Sequence, residues 1–228
     1  MTSQLGDTTW TDHWRRARPA LLVLPVGSCE QHGPHLPLDT DTRIAVALAQ
    51  GLAEKYEEGD LLVAPPLAVS ASGEHAGFPG TLSIGSDVFE QVLVELVRSA
   101  DWSGGVVLVN GHGGNRTAVQ RAVRLLEGEG RKVLAWWPRV PGGDAHAGHT
   151  ETSLMLAIAP ELVHMERAEL GVTAPLADII DELRTGGVVS VSRNGVLGDP
   201  LRANATHGRT LLTRLSIDLV AAVDEWRD

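Results

Sequence analysis

Apolar positions along the chain alternate between two rhythms. Four short unbroken runs, Leu21-Leu-Val-Leu-Pro-Val26, Leu61-Leu-Val-Ala64, Gly105-Val-Val-Leu-Val109 and Val133-Leu-Ala-Trp-Trp137, are too short for core helices and read as buried strands. Between and after them, apolar residues recur every three or four positions, the spacing of one helix face. Ile44, Ala45, Leu48, Ala49 and Leu52 predict a helix near 42–55. Val88, Val92, Leu93, Leu96 and Val97 predict one opening at Asp87. Ala118, Val119, Ala122, Val123 and Leu126 predict a third, Leu154 and Ile158 one from Thr150 to Ala159, and Leu211, Leu215, Leu219 and Val223 a last helix from about Asn204. Strand and helix in alternation predict an α/β fold with a mainly parallel central sheet, covered by helices on both faces. The signal weakens after residue 160. A short helix is expected at about 176–184, and 186–195 reads as a hairpin or an edge strand. Residues 1–18 look peripheral, with Trp10, His13 and Trp14 on one turn that could pack on the core or on a neighbouring subunit. With no repeat, low-complexity tract or linker, the 228 residues read as one domain.

Composition narrows the classes. An apolar content of 43% supports a sizeable core. A formal net charge of −10 argues against a nucleic-acid or anionic-membrane surface. There is no apolar run of membrane-spanning length and no signal-peptide pattern. The single cysteine, Cys29, forbids an intramolecular disulfide and suits a reducing, cytoplasmic setting.

The candidate chemistry sits where strands end. The first strand runs into Gly27-Ser-Cys-Glu-Gln-His-Gly-Pro-His-Leu-Pro-Leu-Asp-Thr-Asp41, which holds Glu30, His32, His35, Asp39 and Asp41. In an extended backbone Glu30 and His32 point the same way and could face one cation. Asp39 or Asp41 could instead cap the following helix. A second loop, Ser70 to Gly80, offers Glu74 and His75 among small residues. In Asn110-Gly-His-Gly-Gly-Asn115 the flanking glycines leave His112 little side-chain packing, so it reads as presented to a ligand rather than packed in a core; Asn115 could double as a helix cap. A fourth loop, Gly142 to Glu151, crowds Asp144, His146, His149 and Glu151, with Glu151 in the first turn of a helix. Trp136 and Trp137 point to opposite faces if extended, one toward the core and one toward a pocket. Convergence of Glu30, His32, Asp41, His112 and Glu151 on one sheet edge would suffice for two divalent ions, with Zn, Mn or Fe suited to mixed N and O ligands. Such a centre fits amide hydrolysis, with His146 delivering a proton to the leaving nitrogen. Thiol catalysis by Cys29 is the competing reading, but Cys29 alternates away from Glu30 and His32.

These motifs, with Glu74-His-Ala-Gly-Phe-Pro-Gly-Thr81 and Glu151-Thr-Ser153, resemble the creatininase family of metal-dependent amidohydrolases. The resemblance implies a three-layer fold and a binuclear centre. Glu30, Asp41 and His112 would hold one metal, and His32 and the shared Asp41 the other. The family's further glutamate ligand would come from the position of Gly114, and Glu151 is the nearest replacement. His146 matches the catalytic histidine. Glu74, His75, Trp136 and Trp137 are candidates to contact substrate. Finer features, among them Gly195-Val-Leu-Gly-Asp-Pro200, resemble a peptidase subgroup. Those enzymes release a modified C-terminal Val-Tyr unit from a ribosomally made precursor peptide during maturation of a redox cofactor. The family also implies a closed homo-oligomer, hexameric or similar. A small cyclic amide or a formamide is the alternative substrate.

Overall fold

The computed structural model describes residues 4–57 and 59–227. The first three residues of the peripheral 1–18 segment lie outside that range. The four apolar runs form strands β1 (Leu21–Val26), β2 (Leu61–Val63), β3 (Val106–Asn110) and β4 (Val133–Trp136). They pair in parallel in the order β2-β1-β3-β4. The helices are α1 (Trp10–Trp14), α2 (Thr40–Ala53), α3 (Ser86–Ser99), α4 (Arg116–Gly128), α5 (His149–Ile158), α6 (Leu176–Gly186), α7 (Val188–Val191) and α8 (Ala205–Arg227).

Side chains alternate across each strand and feed two cores. Leu21, Val23, Val107 and Val109 pack beneath α2, α5 and α8 through Leu48, Leu52, Leu154, Leu215 and Leu219. Leu22, Leu24, Val106 and Leu108 pack on the other face against Phe89 and Leu93 of α3 and Val119 and Leu126 of α4. The sheet is therefore covered on both faces, which is why its strands are uniformly apolar. The chain winds from β1 to β2 on one side, then crosses back to put β3 on the other side of β1. A crevice opens between the carboxyl ends of β1 and β3 at this reversal of strand order. Both ends run into the loops singled out above. Gly27 and Gly111 let α2 close on that edge, because a Cβ on either would collide with Thr42 or with the Asp41 carbonyl.

Several local expectations need correction. Residues 186–195 form no strand: Gly187 (φ 70°) ends α6 and begins α7, and packs against the Glu74 carbonyl. The buried stripe of α3 is Phe89, Leu93, Val94 and Val97, while Val88 and Leu96 are exposed. The aromatic Phe89 recurs with Leu93 and Val97 at i, i+4 and turns the helix toward itself. Trp10 and Trp14 are largely exposed rather than packed on the core. Asp39 occupies the N-cap position of α2 without making a side-chain cap bond; it accepts from Arg43 Nε at 2.7 Å instead. Asn115 likewise makes no cap bond. Its buried amide donates to the carbonyl of Gly27 and to Asn110 Oδ1 and accepts from Ala71 N, stitching three loops together. Among the described residues no helix is long and apolar enough to cross a membrane.

Candidate metal and catalytic site

Glu30, His32, Asp41, His75, His112 and His146 come together at the switch point, all buried, with Glu151 half-buried beside them. Asp41 is central. It leaves the first turn of α2, accepts from Ser28 Oγ at 2.8 Å, and puts one carboxylate oxygen 3.2 Å from His32 Nε2 and the other 3.0 Å from His112 Nδ1. Glu30 Oε1 lies 3.1 Å from His112 Nδ1 and 3.3 Å from His75 Nε2. Glu151 accepts from Ala147 N at 2.6 Å and lies 3.9 Å from His32 Nε2. The chain reaches that bond through Ala147 in the left-handed region (φ 52°).

Two donor sets stand close enough to share one ion each: Glu30, Asp41 and His112, and His32, Asp41 and Glu151. A third combination joins Glu30, His32 and His146. The outer nitrogens of the two ligand histidines are occupied. His32 Nδ1 donates to the Glu30 carbonyl at 3.1 Å, and His112 Nε2 donates to the Ala71 carbonyl at 3.0 Å with Glu74 Oε1 3.3 Å away. Each ring therefore turns its other nitrogen toward the carboxylates, where it can bind a cation on giving up its proton. Glu30 is fully buried and neither of its carboxylate oxygens has a hydrogen-bond partner. A buried carboxylate in that state is costly unless a cation compensates it, so these residues fit a divalent metal.

The same crowding moves the titrations. Burial pushes His32 down, but Asp41, Glu151 and Glu30 outweigh it and raise the ring to about 9. His112 is raised well above the usual histidine range against its burial, by Glu30, Asp41 and Glu74. Burial lifts Glu151 to about 7, with His32 opposing. His146 goes the other way. Burial and the neighbouring His32 and His75 hold it well below the usual range, so it is neutral.

The other candidates separate. Trp137 lines a cavity of about 790 Å³ in front of this cluster, with Arg116 stacked over its ring at 5.4 Å. Trp136 is turned into the core under α8, where its Nε1 donates to Asp218 at 3.1 Å, and it does not line the cavity. The strand's own alternation sends the two rings to opposite faces. Glu74 and His75 border the cavity but also contact the cluster directly. A side chain at Gly114 would collide with the Glu74 carboxylate and the His112 ring. Cys29 turns away, with Sγ 3.7 Å from the Gly80 carbonyl. His35 is a buried structural histidine on Thr152, and His149 pairs with His207 at 2.9 Å. Sequence reasoning passed over Gln31, whose amide reaches His75 and His146 at 2.9 and 3.0 Å. Its position between two candidate ligands was the only signal.

A parallel α/β sheet with buried histidines and carboxylates at its switch point defines a class of hydrolases. The chain belongs to the creatininase family: the family model described as creatinine amidohydrolase matches residues 6–223. It is 50% identical over 227 residues to the mycofactocin precursor peptide peptidase of Mycolicibacterium smegmatis, covering 97% of this chain and 92% of that protein. It is 31% identical to creatinine amidohydrolase of Pseudomonas putida, over 72% of this chain and 74% of that protein. The solved structure "Creatininase Mn" superposes with a TM-score of 0.83 at 26% identity, over 99% of this chain and 98% of that one.

Proposed function

We propose that this protein is a metal-dependent peptidase acting on the mycofactocin precursor peptide, and that it cuts before the modified C-terminal Val-Tyr unit. One observation carries the reading: half of all positions match a protein named for that activity across nearly the whole of both chains. The cavity, with its hydrolytic donor set at one end and Trp137 in its wall, suits a peptide end with an aromatic group.

In this reading Glu30, Asp41 and His112 hold one divalent ion, and His32, Asp41 and Glu151 the other, with Zn, Fe or Mn as the candidates. Two ions held there would supply a water of lowered pKa and a polarised scissile carbonyl. The chain's own residues do the rest. Asp41, fixed by Ser28, keeps the two halves of the site in register. His146 anchors its Nε2–H on the Gln31 carbonyl at 2.8 Å and faces the cluster with Nδ1. Being neutral, it takes a proton at Nδ1 as the water oxygen bonds to the carbonyl carbon. It returns that proton to the nitrogen as the C–N bond breaks, leaving a carboxylate on one fragment and a free amine on the other. The proposal extends to assembly as a cytoplasmic homo-oligomer, which light scattering tests; the exposed Trp10 and Trp14 favour a buried role in such an assembly.

Mass spectrometry of metal-loaded protein mixed with modified precursor peptide, beside a chelated control, tests the function. Metal-dependent release of the Val-Tyr-derived fragment is expected. Intact peptide in both tubes overturns the substrate assignment and directs the search to formamides and cyclic amides.

A further inference from the structure

The cluster holds two histidines outside the two candidate metal sets with Asp41, His75 and His146, and both lie against one buried amide. Gln31 has its Oε1 accepting from Gly33 N at 2.8 Å and its Nε2 donating to the Gly195 carbonyl at 3.0 Å. A backbone N–H can only donate and a carbonyl can only accept, so these two contacts fix which end of the amide is which. One Nε2 proton goes to Gly195. The other points to His75 Nδ1 at 2.9 Å, which must therefore be bare. His75 then carries its proton on Nε2, facing Glu30 Oε1 at 3.3 Å. His146 Nε2 also lies 3.0 Å from the amide nitrogen, but that nitrogen has no lone pair to offer and both its protons are committed. The available partner for His146 Nε2 is the backbone carbonyl of Gln31 at 2.8 Å, so its proton sits there and Nδ1 is bare.

We infer that Gln31 is a positioning residue that sets the proton positions on both rings, on His75 through its side-chain amide and on His146 through its backbone carbonyl, and so decides which histidine acts as the base. His75 turns its only N–H to the Glu30 side, 3.3 Å from Oε1. His146 is left with an open nitrogen toward the reacting centre. The two rings are 4.5 Å apart, centroid to centroid, and chemically similar; one residue that offers a side-chain donor to the first and a backbone acceptor to the second makes them unequal. Gly195 (φ 78°) is part of the device, since a Cβ there would collide with the Gln31 side chain. The effect on rate rests on the hydrolase reading above, whereas the tautomers do not.

The test is a long-range ¹H–¹⁵N spectrum of zinc-loaded protein with ¹⁵N-labelled histidine, His75 and His146 assigned by substitution. Both rings are expected as the neutral Nε2–H form. A proton on His146 Nδ1 overturns the inference before any variant is made. In Gln31→Met His75 loses its amide donor and mixed tautomers are expected on that ring, while His146, held by the backbone carbonyl of residue 31, keeps its Nε2–H. There kcat should fall about 10–100-fold, the range for outer partners of a site, with KM and zinc content unchanged. A Gln31→Met spectrum identical to wild type overturns the inference. Gln31→Glu gives a second reading should the first variant not fold: a carboxylate has no proton to donate, so His75 Nδ1 must become protonated, and an unaltered His75 signal in that variant rejects the assignment. If the precursor peptide proves not to be the substrate, the spectra still decide the tautomers.

Discussion

At the scale of single residues the cluster is a set of charges that need a partner, and their titration reports whether they have one. In the metal-free protein His32 is raised to about 9 and Glu151 to about 7. A raised folded-state value means that folding favours the protonated form. That stability is fully present below the unfolded values and is lost as pH rises through about 7 and then about 9. His146, held low, has the opposite sign and costs stability only on the acid side. Metal-free protein should therefore melt at progressively lower temperature from pH 6.5 to 9.5, while zinc-loaded protein should not, since the ion replaces the protons. A flat metal-free profile would show that the carboxylates lack the coupling to His32 described here. Replacing His146 by Ala should lower kcat by ~10²–10⁴ with metal content intact, the range for loss of a proton carrier; a fully active, fully loaded variant removes His146 from the reaction. Glu30, His32, Asp41, His112, His146 and Glu151 were all legible because each type is costly to bury without purpose. Gln31 was not: an amide has no charge and no periodicity, and its role exists only through a fold that brings Gly33, His75, His146 and Gly195 around it.

At the scale of elements, legibility followed burial. The four strands are buried on both faces, so each shows as an unbroken apolar run, and their places were readable to within a residue or two. The stripe of α8 was readable because it covers the core along its length, with Leu211, Leu215, Leu219 and Val223 all buried. Residues 186–195 misled because valines near glycines suit a strand as well as a helical turn. What decides is whether a strand edge is there to pair with, and that is tertiary information. Asp39 and Asn115 misled in the same way: both stand at helix starts, yet Arg43 claims one, and two loop backbones and the Asn110 side chain claim the other. Leu215 gives the packing argument a number. It is 1% exposed in the middle of the layer that presses α8 on the sheet. Leu215→Ala should cost about 2–5 kcal/mol in a denaturant titration, with the spread set by how far the site collapses. Because the cluster is anchored on strand ends and α2, with Glu151 alone on α5, the metal content of the folded variant should match wild type; lost metal binding at full occupancy of the folded state would mean that α8 shapes the site through α5.

At the scale of the whole molecule, the cavity has two unlike walls. The sheet edge supplies one, dense with carboxylates and histidines. Across from it stands α6, whose Leu176, Ile180 and Leu183 line the cavity although the helix has no fully buried residue. Apolar side chains on a helix that packs so little against its own fold have their function in the cavity. The chain carries a net charge of −10, yet the charged residues that α4 and α6 put into the lining of this space are the cations Arg116 and Arg184. On the proposed function this arrangement would separate chemistry from selection, with bond cleavage at the switch point of the sheet and recognition of the released end at α6. Substituting Ile180→Asp or Leu183→Asp places a charge on the apolar wall without touching the cluster. Each should raise KM for the precursor peptide at least about tenfold, the value of 1.4 kcal/mol, while zinc content and melting temperature stay at wild-type values. Steady-state kinetics on the peptide with metal analysis of the same preparations measures both. An unchanged KM would take α6 out of recognition and leave Trp137 with its stacked Arg116 as the wall that reads the substrate.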